Sequence, residues 1–267
     1  MAIVLDKLSF CYNKKKVIND ISLEIFDNNI CGIIGKSGSG KTTLLEIIDG
    51  LVKPDEGKVL IDNVDINKDK SIRKEIGFVF QFREQQFFEQ TVKKEIEFSA
   101  KNFGIKKEKV KYVIKLVGLK EDILNKKLNN LSNGERRIVA IASILVYNPN
   151  IILFDEPTIG LDYKNKKKVI QLIKNLKNRF GKTIIIVSHD IDLLYQLCDK
   201  LIIINEGKLL LYGDPITIYK EMDIINKYNI PVPEIVLFEN YVKSNKNIKL
   251  MNSKTVNDLI KEVYRNV

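Results

Sequence analysis

Apolar positions along the chain follow two rhythms. Short runs rich in Ile, Val, Leu and Phe occupy residues 3–10, 30–34, 76–80, 151–154, 184–187 and 201–204, and helical spacing of apolar residues fills the stretches between them. Strand-length runs alternating with helices predict an α/β fold with a mainly parallel, doubly covered core sheet. Between residues 91 and 146 the strand signal disappears, and helices are expected near 92–103, 108–117 and 135–146, forming a helical insert. After Tyr212 the pattern weakens, with Pro215, Pro231 and Pro233 punctuating it. A last amphipathic helix is expected there, capped by Ser253 and carrying Val256, Leu259, Ile260 and Val263 on one face. Such a helix serves either to dock on its own domain or to meet a partner.

At 267 residues the chain accommodates one large domain and a small appendage. No apolar run approaches the roughly 18 residues of a membrane span. Asp6 and Lys7 interrupt the start before a signal-peptide core could form, so a soluble, intracellular protein is expected. Cys11, Cys31 and Cys198 are widely spaced among apolar residues, which fits reduced core thiols rather than a metal site or a disulfide. The net charge of +10 raises the question of nucleic acid or an anionic membrane. Yet the basic runs at 14–16, 106–111 and 164–168 lack interleaved aromatics, so solvated faces are expected and no nucleic-acid partner.

The chemistry concentrates at four places. Gly35, Lys36, Ser37, Gly38, Ser39, Gly40, Lys41 and Thr42 fit GxxxxGK[ST], between the apolar run 30–34 and a helical run opening at Thr43. Glycines let backbone N–H groups curl around phosphates, the helix start adds positive potential, Lys41 reaches the β- and γ-phosphates, and the Thr42 hydroxyl suits Mg²⁺. The run 151–154 ends in Asp155 and Glu156, an expected Mg²⁺-side carboxylate and an expected activator of the attacking water. The single histidine, His189, follows another core run, at the carboxyl end where ligands gather, and is expected to contact the γ-phosphate. Gln81 has the same placement after 76–80, within reach of both Mg²⁺ and the attacking water.

Leu131-Ser132-Asn133-Gly134-Glu135-Arg136-Arg137, shortly before the strand carrying Asp155, resembles the LSGGQ signature of ABC ATPases. Together with the P-loop, Gln81, Asp155-Glu156-Pro157-Thr158, Leu161-Asp162 and Ser188-His189 in the same order, the resemblance spans residues 3–212. It implies an ABC ATPase domain over residues 1–218, with an antiparallel β subdomain and a helical insert at about 88–147. It also implies a head-to-tail dimer in which Ser132 and Gly134 serve the partner's ATP. Tyr12 would stack on adenine, Thr43 would join the nucleotide contacts, and Asp162 would lie at the dimer seam.

A narrower resemblance rests on Gln81-Phe82-Arg83-Glu84-Gln85-Gln86-Phe87, Thr91-Val92 and Asn102-Phe103-Gly104, which look like the A subunits of energy-coupling factor transporters. That likeness implies an importer working at the cytoplasmic membrane face. It pairs two ATPase subunits with a transmembrane T subunit and a small S subunit that binds a vitamin or a transition-metal ion. Residues 219–267 would be a C-terminal extension for dimerisation or partner contact. Three positions depart from the pattern: Arg83 stands for Pro, Asn133 for Gly and Glu135 for Gln. Glu135 is expected to repel a triphosphate unless Arg136 or Arg137 screens it, which would weaken the site completed by this signature. Another transporter class, or a soluble ABC protein acting on ribosomes or nucleic acid, remain the competing readings.

Overall fold

The computed structural model describes residues 1–81, 87–246 and 253–266. Two sheets carry the fold. β1 (Ile3–Tyr12), β2 (Lys15–Ile25), β4 (Glu56–Ile61) and β5 (Val64–Asp65) form an antiparallel sheet in the order β2-β1-β4-β5. β3 (Ile30–Ile34), β6 (Ile76–Val79), β7 (Ile151–Asp155), β8 (Thr183–Val187), β9 (Lys200–Asn205) and β10 (Lys208–Gly213) form the second, ordered β10-β9-β3-β8-β7-β6. All pairings in it are parallel except β10 against β9.

The antiparallel hairpins follow from turn chemistry. Asn13 and Lys14, then Asp62 and Asn63, then Glu206 and Gly207 all have positive φ, the two-residue geometry that matches strand twist. The run 3–10 therefore belongs to the antiparallel sheet and not to the parallel core, whereas the other five apolar runs are parallel strands of the second sheet.

Side-chain alternation sorts the parallel strands onto two cores. Cys31, Ile33, Ile151, Leu153, Ile185, Val187, Ile202 and Ile204 face the antiparallel sheet and α1 (Lys41–Asp49). Ile30, Ile34, Ile152, Phe154, Ile184, Ile186, Leu201 and Ile203 face the other way. There they meet α2 (Val92–Asn102), α3 (Lys107–Leu116), α4 (Asn133–Leu145), α5 (Tyr163–Phe180) and α6 (Ile191–Leu197). The register Asp155↔Val187 and Ile33↔Val187 aligns the carboxyl ends of β3, β7 and β8 at one edge.

The C-terminal segment forms α7 (Pro215–Ile218), α8 (Met222–Lys227), α9 (Glu234–Lys246) and α10 (Val256–Asn266). Ile218, Tyr219, Ile225, Ile230, Ile235 and Val236 are buried in the same core as the helices of the second sheet. Tyr219 packs edge-on against Tyr195 of α6 and donates its hydroxyl to the Pro231 carbonyl. Thr255, not Ser253, caps α10: its hydroxyl accepts from the Asp258 N–H, and Asp258 returns the contact to the Thr255 N–H and hydroxyl. Ser253 instead lies buried, with its N–H donated to Glu239. On α10, Val256 and Ile260 are exposed while Leu259 packs on the core, so the expected apolar face is split between solvent and protein. Among the described residues no helix is long and apolar enough to cross a membrane.

Candidate nucleotide site

Residues 35–40 link the central strand β3 to α1. Gly40, the residue before the helix, has φ 100° and comes within 2.7 Å of the Val17 carbonyl where a Cβ would stand. Only glycine fits there, and it supplies no capping side chain, so the first N–H groups of α1 are left for a ligand. Ser39 is buried in the turn, and among the described residues its hydroxyl has no hydrogen-bond partner. Lys36, Ser37 and Gly38 are exposed at the crest. Thr43 is buried behind the loop.

Lys41 is 7% exposed and donates to the Gly35 and Lys36 carbonyls at 2.8 and 2.9 Å. Burial pulls its ammonium pKa down, while Glu156 and Asp155 oppose that by attraction. A cation held by two neutral carbonyls beside two carboxylates is poised to exchange those carbonyls for phosphate oxygens. The Thr42 hydroxyl donates to Asp155 Oδ2 at 2.9 Å, which ties the P-loop to the end of β7.

Asp155 and Glu156 are both nearly inaccessible, and burial pushes both carboxyls above their usual range. Glu156 has φ 50°, a strained conformation for a non-glycine residue, held by its N–H on the Val187 carbonyl at 2.9 Å. That turn aims the side chain across to β8. The Ser188 hydroxyl donates to its Oε2 at 3.4 Å, and His189 Nε2 lies 3.7 Å from its Oε1. His189 itself is largely exposed. Gln81 follows β6 with Phe80, and the buried Arg137 of α4 holds both their carbonyls at 2.6 and 2.8 Å.

Tyr12, at the end of β1, is 46% exposed, lies edge-on to Phe10 and donates its hydroxyl to Glu46 of α1 at 3.3 Å. One ring face is therefore anchored beside the P-loop helix without being buried.

Ser132, Gly134 and Asp162 form a second cluster, and no hydrogen bond among the described residues joins it to the P-loop. Ser132 caps α4 in a reciprocal box: Glu135 N–H donates to its hydroxyl, while Glu135 Oε2 accepts from the Ser132 N–H at 2.8 Å and hydroxyl at 3.0 Å. The Ser132 N–H holds the Glu135 carboxyl below its usual range, and Lys126 and Lys168 act the same way. The charges acting on Glu135 are those of Lys126 and Lys168 rather than of Arg136 or Arg137. Arg136 bonds the Leu128 and Asn129 carbonyls and Arg137 bonds Phe80 and Gln81, so two lysines supply the compensating charge. A cavity of about 370 Å³ opens beside this loop, its charged lining being Lys120, Lys126, Lys164 and Lys168 with Asp122 and Glu135. Asp162 caps α5, accepting from the Asn165 N–H at 2.9 Å and the Asn165 amide at 2.6 Å.

Sequence reasoning missed Arg137 as the anchor of the β6 end and Asn165 as a neighbour of the signature glycine. A basic residue on the buried face of α4 was the available signal for the first; nothing local marked the second. The segment 82–86, which carries Arg83 and part of the narrower family resemblance, lies outside the described residues.

A phosphate-binding loop between a central parallel strand and a helix, with an acid pair and a histidine at neighbouring strand ends, defines a P-loop nucleotide-binding protein. Comparison with known proteins narrows this. The ABC transporter family matches residues 18–159. An energy-coupling factor transporter ATP-binding protein EcfA2 of Caldanaerobacter subterraneus is 38% identical over 248 residues, covering 88% of this chain and 87% of that protein. Its namesake in Listeria welshimeri is 34% identical over 279 residues, covering 98% and 97%. Among solved structures, cbiO1 of Clostridium perfringens, described as part of the ABC transporter complex cbiONQ, superposes with a TM-score of 0.76. It is 31% identical, with 89% of this chain and 98% of that one covered. A dimeric ATP-binding cassette in a post-hydrolysis state, bound to ADP and phosphate, gives 0.70 at 31% identity over 80% and 98%. The chain belongs to the ABC transporter family, among its energy-coupling factor transporter ATP-binding proteins, and its activity is that of an ATPase.

Proposed function

We propose that this chain is the motor subunit of an energy-coupling factor importer, hydrolysing ATP at the cytoplasmic membrane face to energise uptake of a vitamin or transition-metal ion. The observation that carries the hydrolytic reading is the meeting of Lys41, Thr42, Asp155, Glu156 and His189 at the aligned ends of β3, β7 and β8. The importer reading rests on the relatives' names and on the cbiO1 likeness.

In this reading the loop 35–43 cradles the phosphates and Tyr12 offers its free ring face to adenine. Lys41 releases the Gly35 and Lys36 carbonyls to bind the β- and γ-phosphates. Thr42 and Asp155 form a hard oxygen pair suited to Mg²⁺, with Gln81 as a third ligand. When bound, Mg²⁺ neutralises charge that builds on the transferring phosphoryl group. Glu156 accepts a proton from the attacking water, its raised basicity coming from burial, and His189 contacts the γ-phosphate from the neighbouring strand. Ser132 and Gly134 meet the triphosphate held by a second ATPase subunit, with the lysine-rimmed cavity favouring an anion on that side. Asp162 lies at the seam, and residues 219–267 add partner surface. A transmembrane T subunit and an S subunit complete the assembly, and residues 88–147 receive the membrane subunit.

The test is to express tagged Glu156→Gln in a bacterial host carrying its membrane partners, add ATP, solubilise and identify what copurifies. A second ATPase with a compact membrane protein and small S-type subunits is expected. A two-fold permease in their place would reassign the transporter class, and ribosomes or nucleic acid would overturn the transport reading.

A further inference from the structure

The first turn of α5 touches two places that serve different nucleotides in the reading above. On one side Asn165 fills the space left by Gly134: a Cβ there would stand 2.5 Å from Asn165 Nδ2 and 2.6 Å from Cγ. The same amide nitrogen donates to Asp162, which also accepts from the Asn165 N–H as it caps the helix, so the side chain is held against the helix start. On the other side Lys166, the next residue, forms an ion pair with Asp190. Asp190 follows His189 directly and caps α6 through the Leu193 N–H. Its own N–H donates to the Ser188 hydroxyl, the group that in turn donates to Glu156 Oε2.

We propose that Asn165 and Lys166 are positioning residues which tie the signature loop to the catalytic end of β8 within one chain. The contact series runs from Gly134 to Asn165, through the peptide bond to Lys166, and on through Asp190 and Ser188 to Glu156. Every link apart from that peptide bond is a packed contact, a hydrogen bond or an ion pair. A displacement of the signature loop, pressed by the partner's nucleotide, is passed by a rigid helix start to the carboxylate and histidine that act on this chain's own ATP. α5 has 18 residues and four buried apolar side chains, Val169, Leu172, Ile173 and Leu176, so it moves as a body and not as a hinge. Neither residue touches nucleotide, so each acts through another group.

The inference rests on the ATPase reading, and the experiment separates the two. Steady-state ATP hydrolysis and ATP affinity are measured on the full complex for wild type, Lys166→Met, Lys166→Arg, Asn165→Ala and the swap Lys166→Asp with Asp190→Lys. Lys166→Met is expected to lower kcat about ten-fold with KM within about two-fold, because misplaced catalytic groups cost turnover more than ground-state binding. Lys166→Arg is expected to restore most of the loss and the swap part of it, since Asp190→Lys also removes the cap on α6, and a merely structural role would require neither. Asn165→Ala is expected to weaken the dependence of turnover on occupancy of the second site. Turnover within two-fold of wild type in Lys166→Met and Asn165→Ala overturns the tie alone. A loss that neither Lys166→Arg nor the swap repairs also overturns it, provided the circular dichroism melt is unchanged. If the variants unfold, the swap alone decides: full stability without restored kcat refutes the tie. Wild-type protein that binds no ATP removes the nucleotide reading and the tie together.

Discussion

The P-loop cluster and the signature cluster use the same devices to opposite ends. At the P-loop, polar groups are buried and under-committed: among the described residues the Ser39 hydroxyl has no partner, and Glu156 Oε1 makes no hydrogen bond, with the His189 contact at 3.7 Å. At the signature, Ser132 is exposed yet fully engaged, its N–H and hydroxyl both drawn onto Glu135. Buried groups lacking partners store a demand for a ligand, whereas an exposed cap satisfied by its own helix has no such demand. In the proposed reading one half-site stands ready to receive a nucleotide, and the other would first have to give up an internal bond.

The most forceful way to break this contrast is to remove the carboxylate that the P-loop cluster surrounds. Glu156→Gln is expected to cut phosphate release by roughly 10²–10⁴-fold while ATP binding persists, the range for loss of a general base. Rapid turnover in that variant would reassign the base. Lys41→Ala, measured by nucleotide binding, is expected to weaken ATP affinity about 30- to 1,000-fold, since a charge-assisted contact to phosphate and a partner for two acids are lost together.

The sharper probe of the other half is Glu135→Gln. Gln preserves the reciprocal cap, so thermal stability should change little, but the carboxylate charge disappears. ATP-driven pairing with a second subunit is expected to tighten about two- to five-fold, the scale of one partly screened surface charge. Unchanged pairing would mean that Lys126 and Lys168 already neutralise Glu135.

The smallest effect concerns pH. Burial raises the folded pKa of Asp155 and Glu156 above their values of 3.8 and 4.5, so the stability their protonated forms contribute is present below those values. It is lost as pH rises through the raised pKa. Glu156→Gln should therefore flatten the decline in melting temperature across that window and leave the protein about a degree or two more stable at neutral pH. A steeper decline would reverse the sign argued for Glu156.

What was legible in the sequence was local. The P-loop, the buried run 151–154 with its acids and the start of α4 each declare themselves within ten residues. β2 was missed although Ile21, Leu23 and Ile25 alternate with polar residues, and its register could not be read because β1 does not keep a clean period of two. Register shifts at Leu8, Phe10 and Cys11, with Lys7 and Asp20 at positive φ, displace the buried positions of β1 from Leu5 to Leu8. β5 and β10 were lost for a related reason, since each is an edge strand whose identity comes from pairing, and β4, between β1 and β5, has its apolar residues only at Val59, Leu60 and Ile61. The clue available was the turn pairs Asp62-Asn63 and Glu206-Gly207. The role of Arg137 depended on a contact between residues 56 and 57 positions apart, which no window of periodicity reports.

The burial of Tyr219, Ile225, Ile230, Ile235 and Val236 in the core of the ATPase sheet bears on how the molecule melts. Each such side chain contributes about 1.5–3 kcal/mol, and a whole domain is stable by only about 5–15 kcal/mol. Calorimetry of the full chain should accordingly show one transition in which the tail and the nucleotide site come apart together, so that a gene truncated after residue 218 encodes aggregation-prone chain rather than a smaller enzyme.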